Sequence, residues 1–208
     1  MDIFAAIADE RRQLAEQLSS LSSQQQATQS LCEAWTVHDV IAHLTMPLDV
    51  SMARFAVAML VAGGNFDLAN RRLTRRQAAQ PFEGLINLLQ RKADSRFTPP
   101  GEGPEAPLTD VIVHGLDVRW PLGLPCEVPE GRATVALNAL MKAPASVVQK
   151  GALDGLRFEA TDLDWRYGDG ATVSAPAHVL LLAITGRAEA AEMLRGDGAA
   201  TLKRRIAA

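Results

Sequence analysis

Cysteine is scarce in this 208-residue chain: Cys32 and Cys126 stand far apart and outside any CxxC spacing. A disulfide-stapled fold, a zinc ribbon and a dithiol redox motif are thereby excluded, and a reduced intracellular setting is expected. Aromatic residues make up 5% of the chain. No apolar run approaches the roughly 20 residues needed to cross a bilayer. Neither charge predominates, since the formal net charge is −3. The basic residues are scattered apart from Arg71, Arg72, Arg75 and Arg76 and the terminal Lys203, Arg204 and Arg205. Nucleic-acid binding, which calls for a marked basic excess, is not expected. The N-terminal stretch turns charged at Asp9-Glu10-Arg11-Arg12 and lacks the basic start and apolar core of a secretory leader. The expected compartment is the cytoplasm.

What remains is an ordinary globular composition, 48% hydrophobic and 22% charged, long enough for one large or two modest domains. Ile3, Ile7, Leu14, Leu18 and Leu21 recur at helical spacing, and the Ser- and Gln-rich residues 19–30 predict a loop after them. A second helix starts at Thr36, whose hydroxyl caps free amides while Asp39 answers as in a capping box. Val37, Val40, Ile41, Leu44 and Leu48 continue its apolar face. Pro47 removes the donor for the carbonyl of residue 43, which predicts a bend beside His43 before the helix resumes to about Val61.

Residues 67–97 predict one or two helices broken near Pro81, with Phe82, Leu85, Ile86 and Leu89 as a buried stripe, and residues 98–104 a proline- and glycine-rich loop. Helices over 108–120 and 129–142 follow, giving four or five antiparallel helices and hence a bundle. After Gly151 the alternation of residues 156–161 and 164–167, the Gly168-Asp169-Gly170 turn and Thr172-Val173 predict a short antiparallel sheet. Helices over 176–185 and 189–194 follow, and the last residues of the chain are left unassigned. The fold class is therefore mainly α with an α+β C-terminal part: a helical bundle over residues 1–145 and a small α/β domain over 150–208.

The most informative segment contains Asp110, His114 and Asp117, at helical offsets of four and seven on one narrow stripe. Val111 and Val118 flank it on one side, Val113 and Trp120 on the other, and Arg119 points nearly opposite, so the stripe is expected to face inward. Buried carboxylates and imidazoles must be paired or bind a cation. A carboxylate and a histidine one turn apart supply two metal ligands from a rigid element; a structural hydrogen bond satisfies the same groups equally well. A third ligand must come from elsewhere among four histidines. His38 lies in the first turn on the exposed side and His178 begins an apolar helix, which leaves His43. Asp39 repeats the spacing with His43, but capping accounts for it. Asp117 is either a group orienting a histidine or an ion-pair partner for some arginine. Cys32 and Cys126 lie in no catalytic context and are expected to be inert.

Three segments in order resemble the mycothiol-dependent maleylpyruvate isomerase family, metal-binding helical bundles within the wider DinB-like group, and the resemblance spans nearly the whole chain. Cys32-Glu33-Ala34-Trp35-Thr36-Val37-His38-Asp39-Val40-Ile41-Ala42-His43-Leu44 is similar to the family's Trp-Thr-x-x-Asp-x-x-x-His-Leu helix, with His43 on the ligand position. Asp110-Val111-Ile112-Val113-His114 followed by Pro121-Leu122-Gly123 resembles its acid-x-x-x-His helix. Ala160-Thr161-Asp162-Leu163-Asp164-Trp165, Gly168-Asp169-Gly170 and Gly186-Arg187 resemble the attached α/β domain. The family's isomerases carry glutamate where this chain has Asp110, a methylene shorter, so the metal is expected closer to the helix or more weakly held.

The resemblance implies His43, Asp110 and His114 as ligands of a divalent metal, zinc first and nickel or manganese as alternatives, with an open position for water or for mycothiol or another low-molecular-weight thiol. A metal-held thiol ionises readily; its thiolate would add to a conjugated double bond, allow rotation and leave, or transfer sulfur to an electrophile. The expected activity is thus a thiol-dependent isomerase or S-transferase. The rival reading is a non-catalytic metal-binding or small-molecule-binding protein with a sterol-carrier-like C-terminal domain. The partners implied are the thiol and an electrophilic substrate, without nucleic acid or membrane, with a homodimer left open. Arg54, Arg71, Arg72, Arg75 and Arg76 bind carboxylates or, as charged side chains usually do, solvate a surface.

Overall fold

The computed structural model describes the whole chain except residues 33, 34, 100, 146 and 208 and the side chain of Asp67. Glu33 and Ala34 of the tryptophan motif and Pro100 of the predicted loop therefore lie outside the described residues. The elements are α1 (Ile3–Leu18), α2 (Ser23–Gln26), α3 (Val37–Asp49), α4 (Met52–Val61), α5 (Phe66–Gln77), α6 (Phe82–Arg91), α7 (Glu105–Arg119) and α8 (Glu130–Leu140). After these come β1 (Leu156–Ala160), β2 (Arg166–Tyr167), β3 (Ala171–Ala175), α9 (Ala177–Ile184), α10 (Ala188–Ala191) and α11 (Ala199–Ile206).

Helices α1, α3, α6 and α7 close a bundle in which α1 and α3 each pack against both α6 and α7. The stripes read from the sequence meet inside it, with Leu14, Leu18, Val40, Ile41, Leu85 and Leu89 buried together with Val111 and Val118. Truncating one of the leucines or Ile41 to alanine costs about 2–5 kcal/mol, the usual penalty of transfer plus cavity. α7 is buried on nearly every side, as befits a helix apolar around most of its circumference. Its other faces join Ile7, Leu137, Phe158, Val173 and every residue of α9 except His178 in a second core. That core runs across the turns between α8 and β1 and ties the C-terminal sheet to α7.

Arg119 does not face solvent although it stands opposite the Asp110 stripe. It is buried, its Nε donates to Gln17 at 2.8 Å, and Glu10 lies 3.9 Å away. Arg132 adds a 2.8 Å bond to Glu10. Buried charges of α1 and α7 are thus paired with one another, as burial demands.

Three local expectations change. The serine- and glutamine-rich stretch contains α2, because Ser22 and Gln25 form a reciprocal capping box. α3 runs through Pro47 to Asp49; the chain turns only after Val50, where Ser51 caps α4 and the two helices make an angle of 118°. The sheet is mixed rather than antiparallel. Its order is β2-β1-β3, with β1 antiparallel to β2 and parallel to β3.

Gly168-Asp169-Gly170 is the reason for the mixed sheet. Instead of folding β3 back beside β2, it carries the chain across the start of β1 to the opposite edge. Gly168 and Gly170 have φ of 80° and 125°, and a Cβ at Gly170 would lie 2.2 Å from the carbonyl oxygen of Gly155. Gly170→Ala is expected to lower stability by about 1–3 kcal/mol, measured as a lower urea midpoint; an unchanged midpoint would remove this account of the crossover.

Candidate metal centre

The reciprocal cap at the start of α3 fixes where its histidine points. Thr36 Oγ1 accepts from the Asp39 amide, and Asp39 Oδ2 accepts from the Thr36 amide at 2.9 Å and its hydroxyl at 2.6 Å. Asp39 is thereby occupied as a cap, and one turn on His43 faces α7. From α7, Asp110 and His114 project together because four residues bring side chains onto one helical surface. The structure brings His43, Asp110 and His114 together, with one donor atom from each within 4.8 Å of the others.

The two Nε2 atoms converge on one oxygen. Asp110 Oδ1 lies 3.4 Å from Nε2 of His43 and 3.6 Å from Nε2 of His114. The imidazole planes are steeply inclined, with centroids 4.7 Å apart, and the Trp35 ring lies 4.8 Å from that of His43 and 5.9 Å from that of His114. Trp35 therefore covers both imidazoles. His38 instead meets the Gln80 carbonyl at 3.1 Å and packs edge-on to Phe82, and His178 lies 6.1 Å from the Trp120 ring. Neither joins the cluster.

Behind His114 lies Asp117, completely buried, with Oδ2 at 2.9 Å from His114 Nδ1. Arg187 clamps both of its oxygens, at 2.8 Å through Nε and 2.6 Å through Nη2. The two readings of Asp117 are realised at once: it orients a histidine and pairs with an arginine. Arg187 reaches it because α9 stops at a Schellman turn. The Arg187 amide bonds the Leu182 carbonyl, the Gly186 amide bonds that of Ala183, and Gly186 takes φ of 89°.

Charge follows from these contacts. Burial works to raise the Asp110 pKa, but the charge and hydrogen bond of His43, then the charges of His114 and Arg11, outweigh it and hold the carboxyl down at about 2. For Asp117, burial is likewise overcome by the hydrogen bonds from His114 and Arg187, and its carboxyl stays below the usual range. Arg187 is pushed above its ordinary value by Asp117 although burial pulls the other way.

An ionised Asp117 only accepts hydrogen bonds, so His114 carries a proton on Nδ1 and presents Nε2 to Asp110. Nε2 and the Asp110 oxygen face each other across 3.6 Å. A divalent cation can take the place of a proton between them, and bonds of about 2.0–2.2 Å from nitrogen and oxygen suit such spacings. The donor set therefore fits a divalent metal, with Asp117 in the supporting place that carboxylates commonly take behind a ligating histidine. On the α3 side no such support is found among the described residues, where His43 Nδ1 is buried without a hydrogen-bond partner.

The cluster opens into a cavity of about 980 Å³ whose wall is largely apolar, with Phe55, Phe66, Phe97 and Val135 among its lining residues. Cys32, Arg11 and Arg187 also border it. Arg11 and Arg187 were not assigned roles by the sequence. Arg11 is buried and donates to the carbonyls of Ala93 and Ser95 at 3.0 and 2.9 Å. Its signal was a gap: the stripe of Ile7, Leu14 and Leu18 leaves its middle turn to Glu10 and Arg11. Arg54, Arg71, Arg72, Arg75 and Arg76 are exposed, as a solvated surface requires.

Replacing Asp117 tests the support of the centre. Asp117→Ala leaves the Arg187 guanidinium buried without its partner, so a loss of about 3–5 kcal/mol is expected in urea denaturation. Asp117→Asn is expected to weaken divalent-metal affinity by about 10–100-fold in calorimetric titration. An affinity equal to wild type would separate Asp117 from the centre.

Comparison with known proteins follows the same lines. Residues 7–98 match the family model of the mycothiol maleylpyruvate isomerase N-terminal domain. The crystal structure of the mycothiol-dependent maleylpyruvate isomerase superposes with a TM-score of 0.61 at 18% identity, over 95% of this chain and 92% of that one. The structure of a histidine-to-alanine mutant of that enzyme gives 0.60 at 18% identity, over the same 95% and 92%. No curated protein sequence matches the chain. Residues 7–98 are thus similar to the mycothiol maleylpyruvate isomerase N-terminal domain, and the chain has the fold of the mycothiol-dependent maleylpyruvate isomerase.

Proposed function

We propose that this chain is a metal-dependent, thiol-dependent enzyme of isomerase or S-transferase type acting on a small electrophile, with His43, Asp110 and His114 as the metal ligands. The observation that carries the reading is the convergence of both Nε2 atoms and a carboxylate oxygen from two separate helices at a cavity. Three protein ligands leave a metal open to a further ligand, as catalytic sites require. Zinc suits imidazole and carboxylate donors, and nickel and manganese are the alternatives. The thiol implied by the family is mycothiol, and a cytoplasmic setting, where such thiols stay reduced, goes with it.

A divalent cation bound here supplies Lewis acidity that favours the thiolate form of a thiol near neutral pH, a nucleophile the chain need not furnish from its own cysteines. The protein's own residues prepare the place. Asp117 holds the His114 proton on Nδ1 and leaves Nε2 free, while Arg187 keeps Asp117 ionised. Trp35 closes one side of both imidazoles. The apolar wall receives an electrophile with few polar groups and limits the water that reaches it.

Metal analysis and calorimetry test this reading. Wild type is expected to retain a divalent ion and, loaded with zinc, nickel or manganese, to bind mycothiol and isomerise maleylpyruvate or conjugate a model electrophile. His43→Ala and His114→Ala should lose metal affinity by more than the about 10–100-fold that a supporting residue costs, and Asp110→Glu should keep it. Equal metal content in wild type and both alanine variants would defeat the metal assignment; metal uptake without thiol binding would defeat the thiol-dependent part and favour a non-catalytic metal protein.

A further inference from the structure

α4 has no buried residue among those described. Leu60 is 80% and Val61 68% exposed, and Met52, Val57 and Phe66 are exposed beside them. The inner face of α5 is the reverse: Asn70 Oδ1, Thr74 Oγ1 and Gln77 Nε2 are buried without hydrogen-bond partners. The α4–α5 pair thus turns aliphatic groups outward and polar groups inward. It is also locally basic, since residues 50–82 contain Arg54, Arg71, Arg72, Arg75 and Arg76 against the single acid Asp67, in a chain of net charge −3. Charge and apolar surface coincide: Arg54 and Arg76 border one groove with Val57, Val61 and Leu73, with Asp49 the acid at its edge. Arg72 donates to the Val61 carbonyl at 3.2 Å.

We propose that α4 and α5 form a docking face for an anionic lipid bilayer, bound peripherally. Aliphatic side chains beside exposed arginines are what an interfacial helix presents to acyl chains and headgroup phosphates. A second copy of the chain is a poor occupant, because a twofold contact through this face would bring the arginines of one copy against those of the other. Nucleic acid is a poor one too, because Leu60, Val57 and Val61 offer no stacking surface to bases. The attachment lies on the membrane and does not span it. No single described helix is long and apolar enough to cross, and α3, which precedes α4 at 118°, is buried in the bundle. Met52, Phe55 and Phe66 also line the large cavity, so docking brings its rim to the bilayer.

Cosedimentation of the full chain with vesicles tests the proposal independently of metal or thiol. Binding is expected to phosphatidylcholine vesicles containing phosphatidylglycerol and not to phosphatidylcholine alone, and it should weaken as salt screens the arginines. Arg54→Gln with Arg76→Gln should lower the partition coefficient by about 10–30-fold, near fivefold for each charge. Leu60→Asp should lower it while circular dichroism stays native. Tryptophan emission from Leu60→Trp should move to the blue when anionic vesicles are added. Absence of binding to anionic vesicles, equal binding to neutral ones, or indifference to these substitutions overturns the proposal. So does a dimer, lost in Leu60→Asp, found in place of vesicle binding.

Discussion

A carboxylate with no access to water, held between an imidazole and a guanidinium, is the contact on which this molecule turns. Asp117 could not remain ionised in the core alone, because an unpaired buried charge costs several kcal/mol. Arg187 supplies the countercharge through a two-pronged contact with both carboxylate oxygens. The arginine comes from the stop of α9, and α9 is placed by the core it shares with the sheet and α7. The C-terminal part therefore belongs to the centre in a physical sense. It delivers the charge that keeps Asp117 ionised, and Asp117 in turn sets the proton of His114.

That chain of dependence explains why much of the site was legible and part was not. The Asp110-x-x-x-His114 spacing, the Thr36–Asp39 cap and the placing of His43 within its helix are local properties, and local geometry follows from a 3.6-residue period. The convergence of α3 and α7 came from elimination among four histidines and from resemblance, since no short-range pattern says which helices touch. Arg187 stood in a glycine-arginine pair whose Schellman geometry is local, but its target, 70 residues earlier, is not. Arg11 and Arg119 escaped because both are buried charges whose partners lie on other elements: backbone carbonyls for one, Gln17 and Glu10 for the other.

The sheet shows the same boundary between local and distant information. Alternation over residues 156–167 identified strands, and glycines marked a sharp reversal of the chain. Whether the chain after Gly170 returns beside β2 or passes to the far side of β1 depends on a close approach to the backbone at Gly155. Alternation is the same in both cases. Pro47 makes the complementary point, for losing one hydrogen bond does not break a helix whose residues on both sides are packed. The actual break follows at Val50-Ser51, where a new cap is available and packing ends.

The two sides of the centre are built to different tolerances. On α7, Asp110 and His114 ride one rigid helix, and His114 is fixed behind by Asp117 and Arg187. On α3, His43 has Trp35 against its ring but an unpartnered Nδ1, and the following turn contains a proline. An ion binding here would find His114 held by a hydrogen bond from behind and His43 held by ring packing alone. Any adjustment to the shorter Asp110 would therefore fall on the α3 side, where no hydrogen bond among the described residues has to break at Nδ1, and would leave the buried Asp117–Arg187 pair undisturbed.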